Sequence, residues 1–135
     1  MLVWFSDEDE WSAWSQRTDP VLHIDLVKVA SAMLIAPLSA NTLGKIANGL
    51  ADNLLTCVVR AWNYKAKPMI VAPAMNTLMF ENPITDIQLQ FLNDKLSVKV
   101  LPTVEKVLVC GDKGLGAMAS LETICAEVVN ALQLK

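Results

Sequence analysis

The chain has 135 residues and a net charge of −3, and 53% of its residues are hydrophobic while only 19% are charged. The acidic balance argues against a general nucleic-acid binder, since such proteins carry a basic patch. The longest uncharged stretch, residues 29–44, is interrupted by Pro37 and several polar residues and is shorter than the roughly 20 apolar residues of a membrane-spanning helix. Average domains are about 45–50% apolar, so we expect other chains, or sequence outside this one, to cover part of the apolar surface.

The N-terminus and the cysteines indicate a reducing compartment. Residues 1–5 are apolar but lead directly into an acidic segment, without the basic region of a signal peptide. The cysteines Cys57, Cys110 and Cys125 are odd in number and form no CxxC pair, which favours the cytoplasm over a disulfide scaffold. With one histidine and no CxxC, no zinc site is predicted.

The predicted elements alternate between helices and strands. Ser6 followed by three acids predicts a helix that carries Trp11 and Trp14 on one face and ends at Asp19-Pro20. A second short helix is predicted over residues 21–29. The later predictions, in chain order, are a buried strand over 32–36 ended by Pro37, helices over 42–49 and 52–62, a strand over 67–73, a helix from Asn82-Pro83, an alternating edge strand over 97–102, a glycine-containing loop over 103–119 and a helix over 121–134.

This alternation predicts an α/β fold in one domain over residues 1–135. Strands that alternate with helices imply a parallel sheet with helices on both faces. The expected architecture is therefore three-layered and Rossmann-like, of the flavodoxin-like kind. Only three strands are recognisable, whereas doubly wound sheets commonly have five or six, so we expect the N-terminal strands of the sheet to be missing.

Polar residues follow the first two predicted core strands, where open α/β sheets bind ligands. Ser39, Asn41 and Thr42 offer hydroxyl and amide groups at a strand-to-helix junction, and free backbone amides there favour an anion or a ring carbonyl. A well-capped helix without a ligand explains these residues equally well. Asn76, after the second strand, has the reach to hold a carboxylate or a carbonyl, although taken alone it is more typical of a loop cap.

Two further residues are candidates for proton chemistry. His23 is the sole histidine, so acid–base work by an imidazole at neutral pH falls on it, although a single histidine on a short helix is more often structural. Cys110 lies near Gly111, Gly114 and Gly116, whose freedom suits a lid that carries a thiol proton donor. Burial as a small apolar side chain is the commoner role of a free cysteine.

Four segments in this order resemble the homo-oligomeric flavin-containing cysteine decarboxylases, specifically the phosphopantothenoylcysteine decarboxylases of coenzyme A biosynthesis. The segments are residues 19–24 (Asp-Pro-Val-Leu-His-Ile), 39–42 (Ser-Ala-Asn-Thr), 73–79 (Pro-Ala-Met-Asn-Thr-Leu-Met) and 110–112 (Cys-Gly-Asp). The resemblance implies a flavoprotein domain that binds FMN, a cytoplasmic trimer with active sites between subunits, and decarboxylation of 4'-phosphopantothenoylcysteine to 4'-phosphopantetheine. It implies neither a nucleic-acid nor a membrane partner.

The resemblance also implies roles for individual residues. His23 would be the base, Asn76 would hold the substrate carboxylate, and Cys110 would donate a proton from a flap. Val107 and Val109 would lie in the substrate-binding part of that flap, and plant-type relatives have a basic residue where this chain has Val107. The implied flavin contacts are Ser39, Ala40, Asn41, Thr42 and Ala74.

Besides this enzyme, two other hypotheses stay open: a non-catalytic relative and an enzyme that acts on peptides. The family pattern begins before this chain and includes a flavin-phosphate site, so the chain resembles the C-terminal two-thirds of the family domain. It could then be a non-catalytic subunit of a mixed trimer, or a relative of proteins that regulate a phosphatase. Those regulators carry long acidic tails, and this chain ends at Lys135 without one, which favours the enzyme. A family member that decarboxylates a peptide C-terminal cysteine is the third reading.

Overall fold

The computed structural model describes residues 1–107 and 113–133 of the chain. Cys110 and Val109 lie outside the described residues. The elements are α1 (Asp7–Ser12), α2 (Leu22–Val29), β1 (Met33–Leu38), α3 (Ala40–Ala47), α4 (Leu54–Arg60), β2 (Met69–Pro73), α5 (Thr77–Glu81), α6 (Pro83–Leu96), β3 (Lys99–Val100), β4 (Val104–Val107), β5 (Lys113–Ala117) and α7 (Leu121–Gln133).

A parallel sheet of three strands, in the order β1-β2-β3, lies at the centre of the described fold. Met33 is paired with Met69 across β1 and β2, and Val71 with Val100 across β2 and β3. All five residues of the central strand β2 are buried. This confirms the predicted parallel α/β sheet and the edge position of the third strand, which is shorter than predicted.

Helices cover both faces of β2, because its alternate side chains enter two different cores. Met69 and Val71 pack with Ile35 and with residues of α3, α4 and α6. Ile70 and Ala72 pack on the other face with Leu101, Ala119 and Ile124 of α7. Full burial of a side chain such as Val71 contributes about 1.5–3 kcal/mol. The predicted three layers are therefore present.

Side-chain caps explain why the helices begin where they do. Ser6 and Asp9 form a capping box at α1, and Asn53 and Thr56 form another at α4. Asn82 caps α6 ahead of a proline, as predicted. None of the helices in residues 1–107 and 113–133 is long and apolar enough to cross a membrane.

The first predicted helix is too long. It ends at Ser12, so Trp14 lies outside it. The carboxylate of Asp19 accepts hydrogen bonds from the backbone amides of Ser15 (2.9 Å) and Gln16 (2.8 Å). Those amides are thereby taken by a local turn, an alternative that aspartate side chains offer to the backbone.

The first predicted strand also differs from the prediction. It runs through Pro37 to Leu38, because β1 lies at an edge of the described sheet and its register shifts after Ile35. A proline is tolerated at such a position, where its missing N–H is not needed. Leu34 is 42% exposed on the α7 side of β1, so this strand is not buried on both faces as predicted.

The predicted loop over residues 103–119 is wrong. Its described residues contain β4 and β5, which pair as an antiparallel hairpin. Gly114 and Gly116 lie buried within β5 and so do not serve as the flexible loop positions that were expected. The short helix α5 was not predicted, because residues 77–81 are only one helical turn.

Candidate functional site

The polar loops after β1 and β2 meet at one edge of the sheet. The backbone amide of Ala74 donates a hydrogen bond of 3.0 Å to the carbonyl of Leu38. Leu38 itself lies opposite Pro73 in the register of the two strands. The contact joins the segment that begins at Ser39 to the segment that contains Asn76, as the sequence predicted.

The first of these segments is the start of α3. The hydroxyl of Ser39 accepts a hydrogen bond of 3.2 Å from the amide of Thr42 and also bonds its hydroxyl. The first amides of a helix have no partner within the helix, so those of Ala40 and Asn41 are available to a ligand. Ser39 and Asn41 are exposed, whereas Ala40 and Thr42 are partly buried. Amides, hydroxyls and a small methyl side chain together suit the polar edge of a planar ligand.

The second segment presents the exposed side chain of Asn76. Its Oδ1 accepts a hydrogen bond of 2.8 Å from the amide of Leu78 and so caps α5. The cap occupies the oxygen, which leaves the NH₂ group as the part of this side chain that can face a ligand. Since an NH₂ group only donates, it suits a carboxylate.

The hairpin of β4 and β5 packs directly on this second segment. The amide of Met75 donates to the carbonyl of Gly116 at 2.9 Å. A Cβ atom at Gly116 would lie 2.2 Å from the carbonyl oxygen of Met75, closer than any real Cβ contact. Only glycine permits this approach, so Gly116 fixes the backbone on which Asn76 stands.

A cavity of about 140 Å³ lies between this hairpin and the Asn76 segment. Its lining residues are Met75, Asn76, Thr77, Lys106, Gly114, Gly116 and Ala117. Lys106 and Asn76 both line the cavity, so a positive charge and an amide donor together suit an anionic group. Val107, at the end of β4, is 70% exposed.

His23 lies elsewhere, in the helical layer. One oxygen of Glu10 is hydrogen-bonded to its Nδ1, and the other accepts the His23 backbone amide at 3.1 Å. The thiol of Cys57 lies within 4.8 Å of a Glu10 carboxylate oxygen and of a ring nitrogen of His23. Burial and then the Glu10 carboxylate raise the pKa of that thiol, which keeps it neutral. No residue of α3 or α5 takes part in this cluster.

Glu10 was missed by the sequence analysis, which interpreted the acidic run only as favourable to a helix start. Asp7 and Glu10 are three residues apart and so share a helix face. That face contacts the rest of the fold: Asp7 accepts the backbone amide of Leu54 at 2.7 Å, and Glu10 is only 6% exposed. The spacing was a usable signal, although nothing in the sequence says which face is buried.

The predicted site residues therefore form two groups. Ser39, Ala74 and Asn76 come together at the sheet edge, whereas His23 is held by α1. Within the described residues, no hydrogen bond or ion pair joins His23 to Asn76. Cys110 and Val109 fall outside the described part of the chain.

Comparison with known proteins agrees with the observed fold. The family model described as Flavoprotein matches residues 2–133. The chain belongs to the flavoprotein family. A probable phosphopantothenoylcysteine decarboxylase of Arabidopsis thaliana is 58% identical over 124 residues, which are 92% of this chain and 61% of that protein. A phosphopantothenoylcysteine decarboxylase of Mus musculus is also 58% identical, over 60% of its length. This flavoprotein chain thus spans about three-fifths of these relatives.

Solved structures of flavoproteins have the same fold. A mutant PPC decarboxylase complexed with pantothenoylaminoethenethiol matches with a TM-score of 0.86 and 56% identity, over 92% of this chain and 67% of that one. The FMN binding protein AtHal3 matches with a TM-score of 0.87 and 53% identity, over 97% and 70% of the two chains. These matches confirm the predicted flavodoxin-like architecture.

Proposed function

We propose that this chain acts in the FMN-dependent decarboxylation of 4'-phosphopantothenoylcysteine to 4'-phosphopantetheine, a step of coenzyme A biosynthesis. The observation that carries the proposal is the cavity beside Asn76. Its amide donor and the Lys106 ammonium suit a carboxylate, and the Asn76 segment is joined to the strand end before Ser39 by the hydrogen bond from Ala74 to Leu38. The relatives named as phosphopantothenoylcysteine decarboxylases support the same reaction.

The loop residues fit FMN. Ser39, Ala40, Asn41, Thr42 and Ala74 would hold it, because helix-start amides and hydroxyls bind the polar edge of a flavin ring and alanines leave room for its plane. When bound, FMN would supply the redox chemistry, as acceptor of the electron pair when the cysteinyl thiol becomes a thioaldehyde and as its later donor. The thioaldehyde draws electrons from the adjacent carbon, so neither a Schiff base nor a metal is needed for loss of the carboxylate.

The chain's own residues would bind the substrate and move its protons. The NH₂ group of Asn76 orients the substrate carboxylate, and Lys106 adds positive charge close to it. The imidazole of His23 takes the proton that leaves the substrate thiol. Cys110 returns a proton to the enethiolate that remains after CO₂ has left. By the family resemblance, Val107 and Val109 would contribute to substrate binding.

We further propose that the active site forms between copies of the chain in a trimer. His23 and Asn76 belong to separate groups of contacts within the described residues. Large apolar side chains are exposed near both groups: Trp11 is 58% exposed beside Glu10, and Leu78 is 79% exposed beside Asn76. Exposed apolar surface of this kind supports a subunit interface. The free thiols of Cys57 and Cys125 support a cytoplasmic location.

A substitution at Asn76 tests the proposed function. Asn76→Asp keeps an oxygen that caps α5 but replaces the donor with a second carboxylate, which repels that of the substrate. We expect flavin to stay bound, as seen in its visible absorbance after free FMN is removed, while CO₂ release falls at least about 100-fold.

Asn82→Asp is the matched control. Asn82 caps α6 in the same way, with an oxygen that accepts from Ile84 at 3.0 Å, and it does not line the cavity. This variant is expected to release CO₂ at the rate of the unmodified protein. Full turnover by Asn76→Asp would refute the assigned role, and absence of turnover by the unmodified protein with flavin bound would refute the proposed reaction.

A further inference from the structure

Glu10 is the one charged side chain among the buried residues of the described chain. Only 6% of its surface is exposed, and the other buried polar residues are the uncharged Thr56 and Thr85. A carboxylate that leaves water loses a large solvation free energy, which it regains only through charged or hydrogen-bonded partners. The fold therefore buries Glu10 against a specific partner.

That partner is His23, which Glu10 contacts twice. Its Oε1 is hydrogen-bonded to the ring nitrogen Nδ1, and its Oε2 accepts a hydrogen bond of 3.1 Å from the His23 backbone amide. The first contact fixes the ring and the second fixes the helix start from which the ring projects. An ionised carboxylate only accepts hydrogen bonds, so Nδ1 must carry the proton. The neutral ring then has Nε2 unprotonated, and Nε2 is the nitrogen that can take up a proton.

The groups around this pair leave Glu10 to act on His23. The Cys57 thiol on α4 is held neutral by its raised pKa. On α1, the Asp7 carboxylate accepts from the Leu54 amide. Before α4, the Asp52 carboxylate forms an ion pair with Lys45. The ring of His23 is 24% exposed, so it is anchored on one side and open to solvent or ligand on the other.

We propose that Glu10 is a positioning residue that selects the Nδ1–H form of His23 and thereby makes Nε2 the base. This rests on the proposed function. In the proposed reaction, FMN when bound would accept the hydride of the substrate C–H bond, and Nε2 of His23 would take the S–H proton. The imidazolium formed would have two N–H groups, and the Glu10 carboxylate beside Nδ1 would balance its positive charge. Deprotonation of Nε2 restores the starting form.

The single histidine makes the ring's proton position directly measurable. In alkaline buffer, where an imidazole is neutral, the ¹⁵N chemical shifts distinguish Nδ1–H from Nε2–H. We expect the FMN-loaded protein to show the Nδ1–H form. This measurement needs neither a variant nor turnover, and a predominant Nε2–H form overturns the proposal.

Glu10→Gln gives the decisive comparison. A glutamine has one oxygen for the two donors of His23, and the backbone amide cannot change its role. The oxygen therefore goes to the backbone amide, and the NH₂ group faces Nδ1, which must then accept. We expect the ring to change to the Nε2–H form and kcat to fall about 100-fold or more, with KM within about twofold.

Two further variants separate positioning from folding. Glu10→Asp keeps two acceptor oxygens, so it should retain the Nδ1–H form and regain part of kcat. Asp7→Asn makes the same chemical change on the same helix, but its remaining oxygen can still accept from Leu54; the ring form and kcat should match the unmodified protein.

The outcomes distinguish this inference from the proposed function. If the unmodified protein releases CO₂ and Glu10→Gln changes neither the ring form nor kcat, the inference fails and the function stands. If the unmodified protein binds FMN but releases no CO₂, the proposed function fails, and the role of Glu10 in that reaction fails with it.

Discussion

Replacing Gly116 with alanine tests whether the backbone contact at the cavity determines the position of Asn76. The added Cβ would lie 2.2 Å from the Met75 carbonyl oxygen and 3.2 Å from the Phe80 Cβ, so the hairpin and the Asn76 segment must separate. Separation breaks the 2.9 Å hydrogen bond from Met75 to Gly116, worth about 0.5–1.5 kcal/mol. Overpacking adds about 1–3 kcal/mol. The expected loss in free energy of unfolding is therefore roughly 2–4 kcal/mol.

Urea unfolding, monitored by far-UV circular dichroism at a fixed protein concentration, measures this loss. With a slope of about 2 kcal/mol/M, the midpoint should fall by roughly 1–2 M. CO₂ release by the folded fraction should fall as well, because Asn76 adjoins the displaced Met75. Gly44→Ala, within α3, is the control. Its Cβ would meet the Gln88 side chain at an ordinary 3.8 Å, so the variant should be more stable by up to about 1 kcal/mol. A Gly116→Ala protein as stable and active as the unmodified protein would refute the reasoning.

The remaining predictions concern assembly and acid stability. His23→Asn and Asn76→Asp should each be inactive alone, but subunits of the two variants, mixed and reassembled, should recover part of the CO₂ release, because some sites then combine an intact His23 with an intact Asn76. No recovery in verified mixed assemblies would place both residues in one subunit's site. Hydrogen bonds from the backbone amides of Ser15 and Gln16 lower the pKa of Asp19. The stability that the ionised Asp19 carboxylate contributes is therefore present above the ordinary pKa of aspartate and is lost as the pH falls through the lowered pKa. Asp19→Asn should therefore flatten the acid limb of the urea midpoint plotted against pH, and an identical limb would contradict this.

Local signals in the sequence were sufficient for much of the fold. The unbroken apolar run of β2 predicted a strand buried on both faces, and the structure buries all five of its residues. Side-chain caps at Ser6 and Asn82 predicted the starts of α1 and α6. These features depend on residues within a few positions of one another, which is why pattern and propensity were enough.

The features that the sequence did not reveal depend on contacts between distant positions. The Asp7–Leu54 hydrogen bond joins residues 47 apart, and only such contacts show that Glu10, rather than the neighbouring Glu8, is buried. Gly116 has a similar explanation: its glycine is required by the carbonyl of Met75, on another segment. For the site, the polar loops were predictable from their place after the strands, whereas the partner of His23 was not.

The orientation of His23 depends on the six-residue helix α1, which is too short to be stable without contacts to other helices. Isolated helices shorter than about 12–15 residues are marginal in water, so α1 keeps its shape through its links to α2 and α4. Local opening of a protein begins at such weakly supported segments and costs less free energy than global unfolding. The chain can therefore lose the geometry of the proposed base while the sheet stays intact, so the temperature that inactivates it can lie below the temperature that melts it.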